Sequence, residues 1–381
     1  MTAIPVDVVV PVHSGFAATR RCLDSVLAAR VRTGFETVVV DDATPESAIA
    51  RYLDGLAGAG RITLLRNERN VGFVASVNRG MALHAERDVV LLNSDTEVAN
   101  DWLDRLRACA ERDSHVGTAT PFSNNATICS YPFPGWMGAV PGTLGIAGLD
   151  QLFASVNADK SIDLPTGVGS CLYIRRACLE QVGLFDAERF GRGYGEENDF
   201  CLRAAATGWR NVLAADVFVF HEGAVSFAGE RETRAEAALE ALLRAHPDYL
   251  DRVRAFTEGD PASPLRAAVD AARLQRGGDE AACVVAERAE ERRQLVTRLA
   301  EVDALARERE TAIAELRAAL ARAESIVGSR DAEFATLRTE IDNLRAGLAH
   351  AEKLAYDRLH EIERIHASPA WKVLAPFLWR R

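Results

Sequence analysis

Short β-branched runs alternate with amphipathic stretches over the first 120 residues. Segments 6–12 (VDVVVPV), 35–42 (FETVVVDD), 61–67 (RITLLRN), 88–95 (DVVLLNSD) and 116–121 (VGTATP) read as strands, most of them apolar almost throughout. Between them, apolar positions at helical spacing predict helices over about 17–30, 45–57, 72–85 and 101–112. Strands alternating with helices of this length predict βαβ units and a mainly parallel sheet. Strands apolar on both faces predict helices flanking that sheet on each side. From Phe122 to Pro165 the periodicity breaks down among Gly, Pro, Asn and Ser, which predicts a loop-rich insertion with one short helix near 148–157. A strand (169–176) and a helix (177–183) resume the order. GYGEENDFCLRAAATGW (193–209) opens a further helix with three acids in its first turn, where the helix dipole favours negative charge. Residues 211–223 read as one or two strands, and the α/β unit is expected to span 1–230.

The remainder follows a different period. Residues 231–290 read as a helical linker region: one or two helices over 231–256, then a break at DPASPL (260–265). From 291 to 366 a heptad holds, its first positions running Leu299, Ala306, Ile313 and onward to Ile362 without a polar residue. Arg309, Arg330 and Arg358 interrupt the fourth positions, and Gly328 and Gly347 also fall inside. Such a repeat predicts a long α-helical coiled coil that joins copies of the chain, or a long helix packed on its own domain. The last segment, 367–381, is aromatic and basic, and suits either a membrane interface or a docking end. Its abrupt position after a long helix leaves room for a further C-terminal domain.

Composition narrows the function. The net charge is −10, and residues 1–230 hold 28 of the 55 acidic and 20 of the 45 basic side chains. That lacks the basic footprint of a nucleic-acid binder. No window reaches the roughly 18–20 apolar residues of a membrane span. The opening MTAIPVDVVVPVHSG reads as a first strand rather than a signal peptide. Seven Cys at irregular spacing form no CxxC pair, which fits reduced, buried thiols in a cytoplasmic protein.

In an open α/β sheet, ligands bind at the carboxyl ends of the strands. Four polar groups are predicted there: Pro11 to His13, Asp41 with Asp42, Asn67 with Asn70, and Asn93-Ser94-Asp95. Any one could be a cap or turn; four on one edge point to a site. PVHSGFAAT after the first strand lacks the glycine fingerprint of dinucleotide binding, which argues against nicotinamide chemistry.

The order VVVPVHSG, VVVDDAT, NVGFVASVNRG, LLNSDTEV, TGVGSCLYIRR, GYGEENDFCLRAAATGW and FHEGAVSF resembles family 2 glycosyltransferases over residues 4–228. NSDTEV and GEENDFCLR most resemble rhamnosyltransferase-like members that build bacterial surface polysaccharide. The resemblance implies a GT-A fold and an inverting sugar transferase. It implies a nucleotide-diphosphate sugar donor (UDP-, dTDP- or GDP-linked) and a glycan or lipid-linked acceptor. It also implies a divalent cation, Mn2+ or Mg2+, and a place in the cytoplasm or at the inner membrane face.

Carried over residue by residue, Asp41 contacts the base or ribose, Pro11 and His13 line that pocket, and Asp42 either touches ribose or caps. Asn70, Gly72 and Asn78 fall in the block beside the pyrophosphate, where a helix N-terminus offers free N–H groups. Ser94 lies within the family's metal motif, whose first acid is here Asn93. Asp95 and His221 are the implied metal ligands. Glu197 is the implied general base, with Glu196 its competitor. Gly169, with Gly167, lets the chain pass close to the donor sugar or turns a tight packing corner. Asp199 and Arg203, four apart, suit a structural ion pair. The rival reading, supported by Asn93, is a catalytically inactive sugar-nucleotide-binding coiled-coil scaffold.

Overall fold

A computed structural model describes residues 5–191, 193–223, 228–327 and 334–368. It divides into two units, residues 1–285 and 286–381.

The first unit follows the expected alternation: β1 (Val6–Val12), α1 (Phe16–Ala28), β2 (Phe35–Asp41), α2 (Ser47–Gly58), β3 (Thr63–Arg66), α3 (Phe73–Met81) and β4 (Val89–Leu92). Then come β5 (Thr96–Glu97), α4 (Trp102–Glu111), β6 (Val116–Ser123), α5 (Gly145–Val156), β7 (Ser161–Leu164) and β8 (Cys171–Ile174). After these follow α6 (Arg176–Val182), α7 (Ala187–Phe190), α8 (Glu196–Ala206), β9 (Arg210–His221), α9 (Ala228–Ala245), α10 (Tyr249–Gly259) and α11 (Ser263–Arg276). The strands form one sheet in the order β3-β2-β1-β4-β8-β6-β9-β5, with β7 also on β9.

The sheet is mixed rather than mainly parallel. β1, β2, β3 and β4 pair in parallel, as does β6 with β9. β8 enters antiparallel between β4 and β6, and β5 and β7 add antiparallel to β9. The reason lies in the insertion between β6 and β8. It returns the chain through α5 and the short β7, which pairs with β9, so β8 runs back against β4.

The period of two along β1 sorts its side chains into two layers. Val6, Val8, Val10 and Val12 pack with Cys22 and Leu23 of α1, Ile49 and Leu53 of α2, and Trp102 of α4. Val9 faces the other way, with Val74 and Val77 of α3 and Phe200 of α8. Each such fully buried aliphatic side chain contributes about 1.5–3 kcal/mol. Gly80 lets α3 sit directly on the sheet; a Cβ there would overlap Val9 and come within 3.3 Å of Val40. Six of the seven cysteines are buried, and all seven are free.

The unit extends past the expected limit at 230. Ala238 and Leu242 of α9 join the core beneath α3 and α8, and Leu265 and Val269 of α11 join Phe122, Phe153 and Phe218. What read as a linker at DPASPL is the start of α11, with Pro264 in the first helical turn, where its missing N–H costs nothing.

In the second unit the heptad is shared between α12 (Gly278–Val327) and α13 (Phe334–Ala367). Ile313 packs with Ala351 and Ala355, Arg317 pairs with Glu352, and Arg345 pairs with Glu324 at 2.7 Å. As the residue number falls along one helix it rises along the other, so the helices run antiparallel. The expected seam is therefore shared by two antiparallel helices of one chain around Ile313, Ala351 and Ala355. Gly328, Arg330 and residues 369–381 of the aromatic, basic segment lie outside the described residues.

Candidate active site

The predicted polar groups do gather at the carboxyl edge of the parallel strands, in two neighbouring clusters. The first lies past β1, β2 and β3. Asp42 is almost fully buried. Its Oδ1 accepts from Asn67 Nδ2 (2.9 Å) and the Val71 N–H (2.8 Å), and its Oδ2 accepts from the Gly72 N–H (2.8 Å). Asp42 thus folds the 67–72 loop, and of its two expected roles the structural one is on view. Asn70 Nδ2 lies 3.0 Å from His13 Nε2, and His13 Nδ1 lies 2.9 Å from the Asp42 carbonyl. Gly72 has φ +91°, a conformation that favours glycine, and precedes α3. Asp41 caps its own turn, accepting from the Thr44 N–H at 2.9 Å, and pairs with Arg66 at 3.2 Å. Pro11, partly exposed, sits in β1 opposite Val40.

Asn78 belongs elsewhere. Its amide donates to the Phe185 carbonyl (2.8 Å) and accepts from the Phe185 N–H (3.1 Å), so both ends hold α3 to the segment before α7. The expected donor contact is replaced by a structural one.

The second cluster lies past β4, β8 and β9. Asn93 N–H bonds the Ser170 carbonyl (3.0 Å), and so does Thr96 Oγ1 (3.3 Å), which ties the Asn93-Ser94-Asp95 turn to the TGVGS segment. β5 pairs with β9 so that Thr96 faces His221. Asp95 Oδ1 lies 3.4 Å from His221 Nε2, both side chains mostly buried. Burial disfavours the Asp95 charge, but hydrogen bonding and attraction from His221, with help from the Gly223 N–H, hold its carboxyl below the ordinary value.

His221 Nδ1 lies 2.9 Å from the Asn125 carbonyl. A carbonyl only accepts, so Nδ1 carries the proton in that bond. The imidazole thus stands between two acceptors, Asn125 O and Asp95 Oδ1. The neutral ring serves only one; the other side calls for a proton or a cation. One carboxylate oxygen and one imidazole nitrogen in this arrangement are a donor set that fits Mn2+ or Mg2+.

Glu196 and Glu197 open α8 after Gly195, which has φ +86°. Glu197 lies against Gly169, whose added Cβ would come 3.4 Å from Glu197 Cγ. Burial raises the Glu197 pKa, while N–H groups of the first turn and of Gly169 pull the other way. Glu196 is 5% exposed, and its Oε2 has no hydrogen-bond partner among the described residues. Burial and the neighbouring Glu197 push its pKa up to about 8. Gly167 is a packing corner, with Leu172 and Thr120 where a Cβ would go. Asp199 pairs with Arg203 at 2.7 Å as expected, and also with Arg189 and His246.

Contacts run unbroken from Glu197 through Gly169 and Ser170 to Asn93, Asp95 and His221. The site thus brings together most of the residues expected. It also adds two, Asn124 and Asn125, which hold His221 from the turn after β6. Their signal in the sequence is a run of small polar residues, Ser123-Asn124-Asn125, directly after an apolar strand.

A second group of ligand-type atoms, on Asp7, Glu36 and His84, lies within 4.8 Å at the opposite sheet edge. There the Arg87 guanidinium already bridges Asp7 (3.0 Å) and Glu36.

Comparison with known proteins places the chain. Residues 7–183 match the model of Glycosyl transferase family 2. The chain carries a family 2 glycosyltransferase domain. The matched span includes Asp41, Asp95 and Gly169 but stops before Glu196, Glu197 and His221.

Two curated relatives are similar to this chain. One, the uncharacterized protein y4gI of Sinorhizobium fredii (strain NBRC 101917 / NGR234), is 25% identical over 65% of this chain and 27% of its own. The other is the N-acetylglucosaminyl-diphospho-decaprenol L-rhamnosyltransferase of Mycobacterium tuberculosis (strain CDC 1551 / Oshkosh). It is 27% identical over 49% of this chain and 64% of its own. The chain thus spans under two thirds of each. Among solved structures, GalNAc-T7 with UDP, GalNAc and Mn2+ aligns at 18% identity over 70% of this chain and 54% of that chain, with a TM-score of 0.48. The mannosyltransferase PcManGT from Pyrobaculum calidifontis with GDP-Man and Mn2+ aligns at 19% identity over 75% and 79%, with a TM-score of 0.45. No described helix is long and apolar enough to cross a membrane.

Proposed function

We propose that the chain transfers a sugar, with inversion, from a nucleotide-diphosphate donor to a glycan or lipid-linked acceptor in surface polysaccharide synthesis. The carrying observation is the joining of two chemical elements at one sheet edge. A carboxylate with raised proton affinity, Glu197, leads through Gly169 and Ser170 to the facing pair Asp95 and His221.

Glu197 takes the proton of the acceptor hydroxyl. The acceptor oxygen forms the new bond to C1 of the sugar, on the face opposite the nucleotide. The old C1–O bond breaks, and its electron pair leaves with the nucleoside diphosphate. Asp95 and His221 would hold a divalent cation, which would supply positive charge to that leaving group. Gly169 permits close approach beside Glu197. Asp42 holds the Gly72 loop at the start of α3, next to the expected pyrophosphate position. Glu196, buried and with raised proton affinity, adds little negative charge next to Glu197 near neutral pH.

The test measures nucleoside diphosphate release from UDP-, dTDP- and GDP-sugars by the full chain with Mn2+, with a diphospho-lipid acceptor present. Release from one donor, lost in EDTA and in Glu197→Gln, supports the reading. Turnover by Glu197→Gln at the wild-type rate removes Glu197 from it.

A further inference from the structure

Asn124 follows directly on β6 and is fully buried. The ladder between β6 and β9 shifts register after Pro121 and ends with Ser123 opposite Val219. Two residues on, at His221, the Asn124 side chain stands in for the strand that has ended. Its Oδ1 accepts from the His221 N–H (2.8 Å), and its Nδ2 donates to the carbonyls of His221 (2.9 Å) and Gly138 (2.6 Å). The next residue supplies the carbonyl that meets His221 Nδ1. The Asn125 amide reaches over Gly223, which has φ +65° and where a Cβ would overlap Asn125 Nδ2. On its other edge His221 faces Thr96 of β5.

We propose that Asn124 is a positioning residue: it fixes the main chain of His221, so that the Asn125 carbonyl sets the ring tautomer and Nε2 is presented to a divalent cation beside Asp95. This rests on the reading of Asp95 and His221 as cation ligands. The reasoning is a donor count. The amide uses one acceptor and two donors. An Asp of the same shape keeps the acceptor, loses both donors, and turns an anionic oxygen toward two carbonyls. Only an amide satisfies all three backbone groups at this place. Groups that orient a ligand from behind typically change metal affinity by about 10–100-fold when replaced.

The experiment is a Mn2+ titration of the full chain, followed by the electron paramagnetic resonance of free Mn2+, for wild type, His221→Ala and Asn124→Asp. Folding of each is checked by circular dichroism in EDTA. The expected result is a Kd raised about 10–100-fold in both variants. Weakening in His221→Ala with an unchanged Kd in Asn124→Asp overturns the role of Asn124 and spares the cation site. A wild type that binds no Mn2+, or a His221→Ala that binds as wild type does, overturns the cation site and this proposal with it. Should Asn124→Asp not fold, Asn124→Ala takes its place in the titration, being small enough to admit water to the three backbone groups. A 15N-histidine spectrum of the metal-free wild type gives a signature that stability alone does not move. The signal lost in His221→Gln should report a protonated Nδ1. A ring protonated at Nε2 alone contradicts the proposal.

Discussion

Removing one oxygen tests whether α11 and the start of α12 are built into the α/β unit or merely follow it. Tyr131 OH donates to Asp270 Oδ1 at 2.7 Å and accepts from Arg273 Nη1 at 2.9 Å. Arg273 is fully buried and also bonds Glu280, whose other oxygen takes the Thr143 N–H and Oγ1, each at 2.7 Å. The network thus fastens the loop after β6 to both helices. Tyr131→Phe keeps the ring and its edge contact with Phe153, and deletes only the hydroxyl. Each lost bond to a charged group is worth about 1.5–3 kcal/mol, and the two are not additive, so a loss of about 2–4 kcal/mol is expected. That is a large share of a typical stability of about 5–15 kcal/mol. For a unit of this size it lowers the melting temperature by roughly 3–7 °C. Urea titration followed by tryptophan fluorescence reads it as a lower midpoint at constant slope. A loss below about 0.5 kcal/mol, the range of ordinary surface changes, would refute the reasoning, because the hydroxyl would then be exchanging with water.

Three further outcomes are expected. Gly80→Ala pushes a methyl into Val9 and should cost about 1–3 kcal/mol or more, read by the same urea titration; wild-type stability would mean α3 rides higher on the sheet. Glu196 has a folded pKa of about 8 against an ordinary 4.5, so between those values the folded state holds a proton that the unfolded state has released. Stability should therefore fall as pH rises through that window, and Glu196→Gln should flatten the curve; parallel curves would refute it. Ile313→Ala should loosen the α12–α13 seam and lower helicity at 222 nm with a midpoint independent of protein concentration. A midpoint that climbs with concentration would mean the seam joins separate chains.

The sheet was legible because β1, β2 and β4 are apolar on both faces, a pattern that admits few other folds. What escaped notice was short or had a misleading signal. β5 has two residues and β7 four, too few to show a period. α11 was hidden because Ser263-Pro264 reads equally as a linker and as a helix start. The heptad gave the seam but not the partner, since a repeat is the same whether another chain or the same chain returns along it. In the site, strand ends placed Asp41 and Asp95 on one edge, and the resemblance carried by GEENDFCLR and FHEG singled out Glu197 and His221. Spacing could not say that Asn78 is spent on Phe185 or that Asp42 ties a loop, because those partners are fixed only by the tertiary fold. Asn124 was missed for a related reason: its side chain acts as a strand, and no linear pattern announces that.

The most direct test of the central claim is a calorimetric titration of the full chain with UDP, dTDP and GDP in the presence of Mn2+, repeated with Asp95→Ala. Binding of one of the three, weakened at least tenfold by EDTA and by Asp95→Ala, is the predicted result. Failure of all three to bind would contradict a nucleotide-sugar site and leave the sheet edge without the chemistry assigned to it.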